Sequence, residues 1–187
     1  PGAVGDAPAP RVSFVVIGRN AGHTLIRTLD SVLAAGRAVA PLPTEVIYVD
    51  SASSDGSVDA VRGRFGNAVT VAVLTGAMNA AIGRNVGAGL ARGDILFFVD
   101  GDMEVDPRFL PAVLDAGGHL VHPLVGGQLP ERLYDPEWRP AGEVLDRFRV
   151  ERRELRTHLG GAFAIERTLF ERVGGFSSEL RINEDMD

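Results

Sequence analysis

The chain has 187 residues, of which 45% are hydrophobic and 24% are charged, and its formal net charge is −6. This is the composition of a globular protein, and the length suits one domain with a sizeable core. The acidic balance argues against nucleic acid as a partner, and the lack of cysteine excludes disulfides, zinc–thiolate sites and thiol nucleophiles. Residues 1–10 have no basic start and no apolar stretch, so we expect a disordered leader and not a signal peptide.

Strands and helices alternate along the first hundred residues. Short apolar runs predict strands over 12–17, 45–49, 68–74 and 94–99. Apolar residues at helical spacing predict helices over 23–36, from about 57, and over 78–93. The strands are apolar on both faces, as in parallel sheets that helices cover on both sides. The sequence therefore predicts an α/β fold with a doubly wound, mostly parallel sheet.

The alternation is less regular after residue 104. The pattern predicts a helix over 106–118, a strand over 119–127 and a Pro-rich loop over 129–142. It then predicts an amphipathic helix over 143–156, and a last strand with a short helix and turn over 160–176. Long ordered loops in compact domains are often lids or binding loops. No apolar run approaches the roughly 20 residues of a bilayer span, so we expect no membrane span in this chain.

Acidic residues follow the predicted strands. Asp50, Asp55, Asp100 and Asp102 lie at or just past strand ends, and ligands of doubly wound sheets bind beyond the carboxyl ends of the strands. Asp50 is a candidate acceptor of a hydrogen bond from a nucleobase or ribose, with a turn or helix cap as the alternative. For Asp55 the cap is the favoured interpretation.

Asp100 and Asp102 are two nearby carboxylates, which repel each other unless a cation is close. On an extended segment both would face the same way, and Gly101 would let the backbone approach a ligand. Oxygen ligands at this spacing suit Mg²⁺ or Mn²⁺, which complete their shells with phosphate oxygens and water. A solvated turn without a metal remains open.

The helix predicted over 78–93 is rich in glycine. Gly83 and Gly87 would form a flat strip that lets this helix pack closely on the sheet. We expect Arg84 to lie near the sheet edge, where its guanidinium could pair with phosphate, and a surface arginine is the alternative. All 19 basic residues are arginine, which excludes a Walker-type phosphate loop, a Schiff-base lysine and a lysine base.

Four blocks of the sequence, taken together, resemble the GT-A-type inverting nucleotide-sugar glycosyltransferases of family two. They are "SFVVIGRNAGHTLIRTLDSVL", "EVIYVDSASSDGS", "MNAAIGRNVGAGLARGDILFFVDGDM" and "GGAFAIERTLFERVGGFSSELRINEDMD". The resemblance implies a GT-A-like fold with a single catalytic domain over 11–187. Residues 11–104 would bind the nucleotide sugar, and 105–187 would form an acceptor half that we expect to be truncated at its C-terminus. A cytoplasmic location is expected, unless segments absent from the chain anchor it to a membrane.

The resemblance also implies roles for individual residues. On the donor side, Asp50 would bind the nucleobase with the loop of Gly18, Arg19 and Asn20. Arg84 would lie near the base or diphosphate, Asp100 near the ribose or the water shell of the metal, and Asp102 would ligate Mn²⁺ or Mg²⁺, with Gly101 between them. On the acceptor side, Gly160 and Gly161 would touch the donor sugar or acceptor, and Asp185 would be the general base beside Glu184. From spacing alone, the start of a helix, where acidic residues are favoured, is the better interpretation of this acidic pair.

The implied reaction is a metal-dependent, inverting transfer of a sugar from a nucleoside-diphosphate sugar to an unknown acceptor hydroxyl. UDP is favoured over GDP. The sequence departs from the family pattern at Gly18, where proline is frequent, and at Met78, where a basic residue is common. A nucleotidyltransferase and a phosphatase are disfavoured because both would need a lysine. A catalytically silent sugar-nucleotide-binding module remains open.

Overall fold

The computed structural model describes residues 11–76, 78–130, 133–137, 139, 141–142 and 160–177, in which six strands form one sheet. The strands are β1 Val12–Gly18, β2 Thr44–Asp50, β3 Thr70–Val73, β4 Ile95–Asp100, β5 Leu124–Gly126 and β6 Ala162–Glu166. Their order is β3-β2-β1-β4-β6-β5. The first four strands are parallel, and β6 runs antiparallel to both β4 and β5. The predicted α/β, mostly parallel sheet is confirmed.

Helices cover both faces of this sheet. They are α1 Gly22–Ala38, α2 Ser57–Phe65, α3 Ala80–Leu90, α4 Phe109–Val113 and α5 Arg167–Arg172. Apolar residues of α1, α2 and α4 pack on the face that carries Phe14 and Tyr48. Those of α3 and α5 pack on the face that carries Val15 and Phe98. No helix in the part of the chain described combines the length and apolarity needed to cross a bilayer.

Several predicted boundaries are wrong. Helix α1 does not end at Gly36 but continues to Ala38, and Gly36 is buried where a Cβ would lie 2.8 Å from the Thr44 hydroxyl oxygen. The helix predicted over 106–118 is limited to Phe109–Val113, because Leu114 leaves it to bridge Leu120. The helix predicted over 143–156 and the leader over 1–10 lie outside the described residues.

Strand β1 occupies the point where the order of the sheet reverses. The chain goes outward from β1 to β2 and β3 on one side, then returns to place β4 on the other. In this register Gly18 pairs with Asp50 of β2, and Ile17 pairs with Asp100 of β4. The two aspartates thus flank the carboxyl end of β1, at the crevice where ligands of doubly wound sheets bind.

Helix α3 packs closely on β1 through its glycines. A Cβ on Gly87 would lie 2.2 Å from Val15 Cγ1 and 3.2 Å from Val49 Cγ2, and one on Gly83 would lie 3.4 Å from Ile17 Cγ2. Around Gly89, by contrast, nothing lies within 4 Å of that position. The predicted flat strip is confirmed for Gly83 and Gly87, whereas Gly89 has no packing role.

We expect Gly87→Ala to destabilise the fold although alanine is the better helix former. The gain in helix propensity is about 1 kcal/mol, and forcing an extra methyl group into a packed core costs about 1–3 kcal/mol. Gly89→Ala is the matched control, and should stabilise the protein by up to about 1 kcal/mol. Urea unfolding of both variants gives the comparison. A Gly87→Ala variant at least as stable as Gly89→Ala would contradict the close contact.

Candidate functional site

A cleft of about 360 Å³ opens at the carboxyl edge of the sheet, between the end of β1 and the start of α3. The structure brings five of the predicted site residues together there: Gly18, Arg19, Asp100, Gly101 and Asp102. Met78, Asn79 and Ala80 form the opposite side. The side-chain oxygen of Asn79 caps α3 by accepting from the Ile82 amide at 2.8 Å. The first turn of α3 therefore borders the cleft, and its dipole favours an anion.

Arg84 and Asp100 form an ion pair at this edge of the sheet. Arg84 Nη2 donates to Asp100 Oδ1 at 2.6 Å, and the side chains are 11% and 27% exposed. The guanidinium also lies 5.4 Å from the centre of the Phe176 ring. The prediction that Arg84 lies near the sheet edge is confirmed, and the alternative of a surface arginine is wrong.

Gly161 provides the space that the Asp100 side chain occupies. A Cβ on Gly161 would lie 2.1 Å from Asp100 Oδ2, and the Gly161 carbonyl accepts from the Asp100 amide at 2.9 Å. Gly160 has a positive φ of 63°, which strains other residues. The start of β6 therefore supports the end of β4, and the structure places Gly161 beside Asp100 and Gly160 beside Leu129.

Residues 100–103 form a turn, so the prediction of an extended segment through Asp100 and Asp102 is wrong. The Met103 amide donates to the Asp100 carbonyl at 3.0 Å, and the Gly101 carbonyl accepts from the hydroxyls of Thr24 and Thr28, each at 2.9 Å. A Cβ on Gly101 would lie 2.9 Å from the Ile17 carbonyl. These contacts fix the turn on α1, and Asp100 and Asp102 are both among the residues that line the cleft.

The number and the exposure of the carboxylates at the cleft determine which metal ions Asp100 and Asp102 could hold. No group of three or more acidic or histidine side chains that could hold a metal occurs in the described part of the chain. Asp102 is exposed at the cleft, and Asp100 is engaged with Arg84. Mg²⁺ and Mn²⁺ commonly take one or two carboxylates and complete their shells with phosphate oxygens and water. This donor set fits an ion that binds together with a diphosphate.

Asp50 is fully buried and lies behind the cleft wall. Its carboxylate accepts from the Tyr48 hydroxyl at 2.6 Å and from the Ser53 amide at 2.7 Å. Asp55 lies in the turn before α2, whose N-cap is Gly56, and accepts from the Ser57 amide at 3.0 Å. The pKa of Asp55 is lowered, first by the hydrogen bond from the Ser57 hydroxyl. Asn20 joins this region through its side-chain oxygen, which accepts from the Ser54 amide at 2.9 Å.

Several residues that shape the site do not stand out in the sequence. Thr24 and Thr28 lie one turn apart on an otherwise apolar helix face. This pair of polar residues is the one sign in the sequence that could have pointed to their role. Asn85 is another such residue, and its side chain both donates to the Phe176 carbonyl and accepts from the Phe176 amide. The expected base Asp185 and its neighbour Glu184 lie outside the described residues.

Comparisons with known proteins agree with this architecture. A "Probable N-acetylgalactosaminyltransferase 7" from Caenorhabditis elegans is 28% identical over 212 aligned positions, which cover 92% of this chain and 34% of that protein. The mannosyltransferase PcManGT from Pyrobaculum calidifontis, in complex with GDP-Man and Mn²⁺, superposes with a TM-score of 0.60 and 23% identity over 92% of this chain and 49% of that one. For S. aureus TarS 1–349 in complex with UDP-GlcNAc, the TM-score is 0.60 and the identity 19%, over 94% and 51%.

The chain thus spans about a third of the curated relative, which is matched over 34% of its length, and about half of each solved structure. The structural matches show that its six-stranded sheet and flanking helices have the GT-A glycosyltransferase fold. The sequence model of the family described as Glycosyl transferase family 2 matches residues 13–177, which is most of the chain. This chain therefore belongs to glycosyl transferase family 2.

Proposed function

We propose that the chain carries the catalytic machinery of a metal-dependent, inverting glycosyltransferase. It would transfer a sugar from a nucleoside-diphosphate sugar to an acceptor hydroxyl by direct displacement. The observation that carries this proposal is the cleft at the sheet's carboxyl edge. There, Asp100, Asp102 and the first turn of α3 line one space of about 360 Å³, and the buried Arg84 is paired with Asp100.

The groups around the cleft are suited to a donor that has a nucleobase at one end and a diphosphate at the other. The nucleobase would lie by the loop of Gly18, Arg19 and Asn20, on the side that Asp50 supports from behind. The diphosphate would lie near the first turn of α3, where the helix dipole favours anions. UDP is the proposed nucleotide, a choice supported by the UDP-GlcNAc complex of TarS. GDP is the alternative, supported by the GDP-Man complex of PcManGT.

Asp102, with Asp100, would hold Mn²⁺ or Mg²⁺ together with the donor diphosphate. When bound, such an ion would offset the negative charge that grows on the departing diphosphate. Arg84 contributes a fixed positive charge that the protein already holds in place through Asp100. The turn held by Thr24 and Thr28 keeps Asp102 at the mouth of the cleft.

The reaction would need one proton acceptor and no covalent nucleophile of the enzyme. The acceptor oxygen would form a bond to the anomeric carbon, while the bond from that carbon to the diphosphate oxygen breaks. The hydroxyl proton would pass to the carboxylate of Asp185, with Glu184 beside it. Residues 11–104 would bind the donor, and residues 105–187 would bind the acceptor. Gly160 and Gly161 would touch the donor sugar or the acceptor.

Thermal unfolding with UDP, GDP, ADP or CMP, with and without Mn²⁺, tests the donor site. A ligand at about 100 times its dissociation constant adds about 2.7 kcal/mol of stability. We expect UDP with Mn²⁺ to raise the melting temperature most. Asp102→Ala should remove the Mn²⁺-dependent part of this rise.

Asp106→Ala is the matched control, because Asp106 is also exposed and acidic but is paired with Arg108 at the surface. It should keep the full Mn²⁺-dependent rise. If none of the four nucleotides shifts the melting temperature of the unmodified protein, the proposed donor site is wrong.

Replacing Asp185 by asparagine separates an enzyme from a silent binding module. The substitution removes the proposed base and leaves the donor cleft intact, so turnover of the donor sugar should fall by about 10²–10⁴-fold, while binding of the nucleotide stays unchanged. Asp187→Asn, which removes a carboxylate two positions away, should keep normal turnover. Normal turnover in Asp185→Asn would rule out Asp185 as the base.

A further inference from the structure

The strongest unexplained feature is a chain of buried hydrogen bonds behind one wall of the donor cleft. Tyr48 and Asp50 lie two positions apart on β2, so they face the same side of the sheet, and both are 0% exposed. The Tyr48 hydroxyl donates to Asp50 Oδ1 at 2.6 Å. Ser53 donates to the same carboxylate twice, from its amide at 2.7 Å and from its hydroxyl at 2.5 Å.

This buried carboxylate is therefore held by neutral donors. Removing one of them leaves a buried acceptor undersatisfied in the interior, which costs more than the loss of an exposed hydrogen bond. Burial, and then the hydrogen bond to Asp50, raise the pKa of Tyr48 well above its usual value, so the phenol stays protonated and keeps donating.

The chain of bonds continues into the cleft wall. The Ser53 hydroxyl oxygen accepts from the backbone N–H of Asn20 at 2.8 Å. The backbone N–H of Ser51 donates to the Gly18 carbonyl at 2.9 Å. Asn20 and Ala52 have positive φ values of 51° and 56°, which side chains adopt only at a cost. The loops after β1 and β2 are thus joined in a strained arrangement that Asp50 supports from below.

We propose, building on the proposed function, that Tyr48 and Asp50 are positioning residues for the nucleobase. They hold Ser53 and Asn20 so that the wall presented by Arg19 and Ser51 is preformed. The base contacts that wall, and the Asp50 carboxylate does not accept from the base directly. This assigns a role to Tyr48, which does not line the cleft but packs beside the cleft residue Gly18, and changes how Asp50 acts.

The test compares binding of UDP with binding of inorganic pyrophosphate, both with Mn²⁺, by calorimetry. Pyrophosphate reports on the diphosphate end alone, so the ratio of the two affinities reports on the nucleoside end, which is the base together with its ribose. Tyr48→Phe removes one hydroxyl and keeps the ring. We expect this ratio to fall at least about fivefold, since a buried acceptor loses a donor, while the pyrophosphate affinity stays within about twofold.

Two further variants and a control complete the design. Ser53→Ala, which lies outside the core, should lower the ratio as Tyr48→Phe does, and it carries the test if Tyr48→Phe fails to fold. Asp50→Asn should lower the ratio by a similar factor and not change the preference between UDP and GDP. Tyr134→Phe, at the chain's other tyrosine, makes the same chemical change elsewhere and should leave the ratio unaltered.

Each outcome decides between the alternatives. A ratio that falls in Tyr48→Phe, Ser53→Ala and Asp50→Asn alike supports the positioning role. A ratio that falls only in Asp50→Asn, or a reversed base preference there, means that Asp50 contacts the base and overturns this inference alone. If the unmodified protein binds neither UDP nor pyrophosphate, the proposed function and this inference both fail.

Discussion

The parallel pairing of β1 with both β2 and β4 is the constraint on which the rest of the site depends. Since parallel strands end at the same edge, this pairing brings Gly18, Asp50 and Asp100 side by side although they are far apart in the chain. Helix α3 can reach the same edge only because Gly87 lets it lie against Val15. The position of Arg84 follows from that contact.

The Arg84–Asp100 pair shows how this fold handles charge near the cleft. Largely buried ion pairs add little stability, because the loss of hydration offsets much of their attraction. The main effect of this pair is to fix the positions of the two charged side chains. Asp100 has room only because Gly161 lacks a side chain, and Arg84 is flanked by Phe176. Under the proposed function, a cation fixed in advance stabilises a leaving diphosphate without further rearrangement.

The two walls of the cleft are supported in different ways. On the β4 side, two threonine hydroxyls of α1 donate to the backbone of the turn after β4, and Asp102 remains exposed. On the β2 side, a buried carboxylate holds two strained loops together. In both places polar groups from the interior fix backbone geometry, which leaves the exposed groups available to a ligand.

The sequence by itself determined the α/β alternation, the parallel sheet, the close-packed glycine helix and the edge where the site lies. These features follow from local hydrophobic periodicity and from the shared direction of parallel strands, both of which are visible along the chain. Only the tertiary structure decided that Asp50 is buried under Tyr48, that Asp100 and Asp102 lie on a turn, and that Gly161 makes room for Asp100. Thr24 and the Gly101 carbonyl that it binds are 77 positions apart. Contacts across such separations depend on how the elements pack, and no local pattern encodes them.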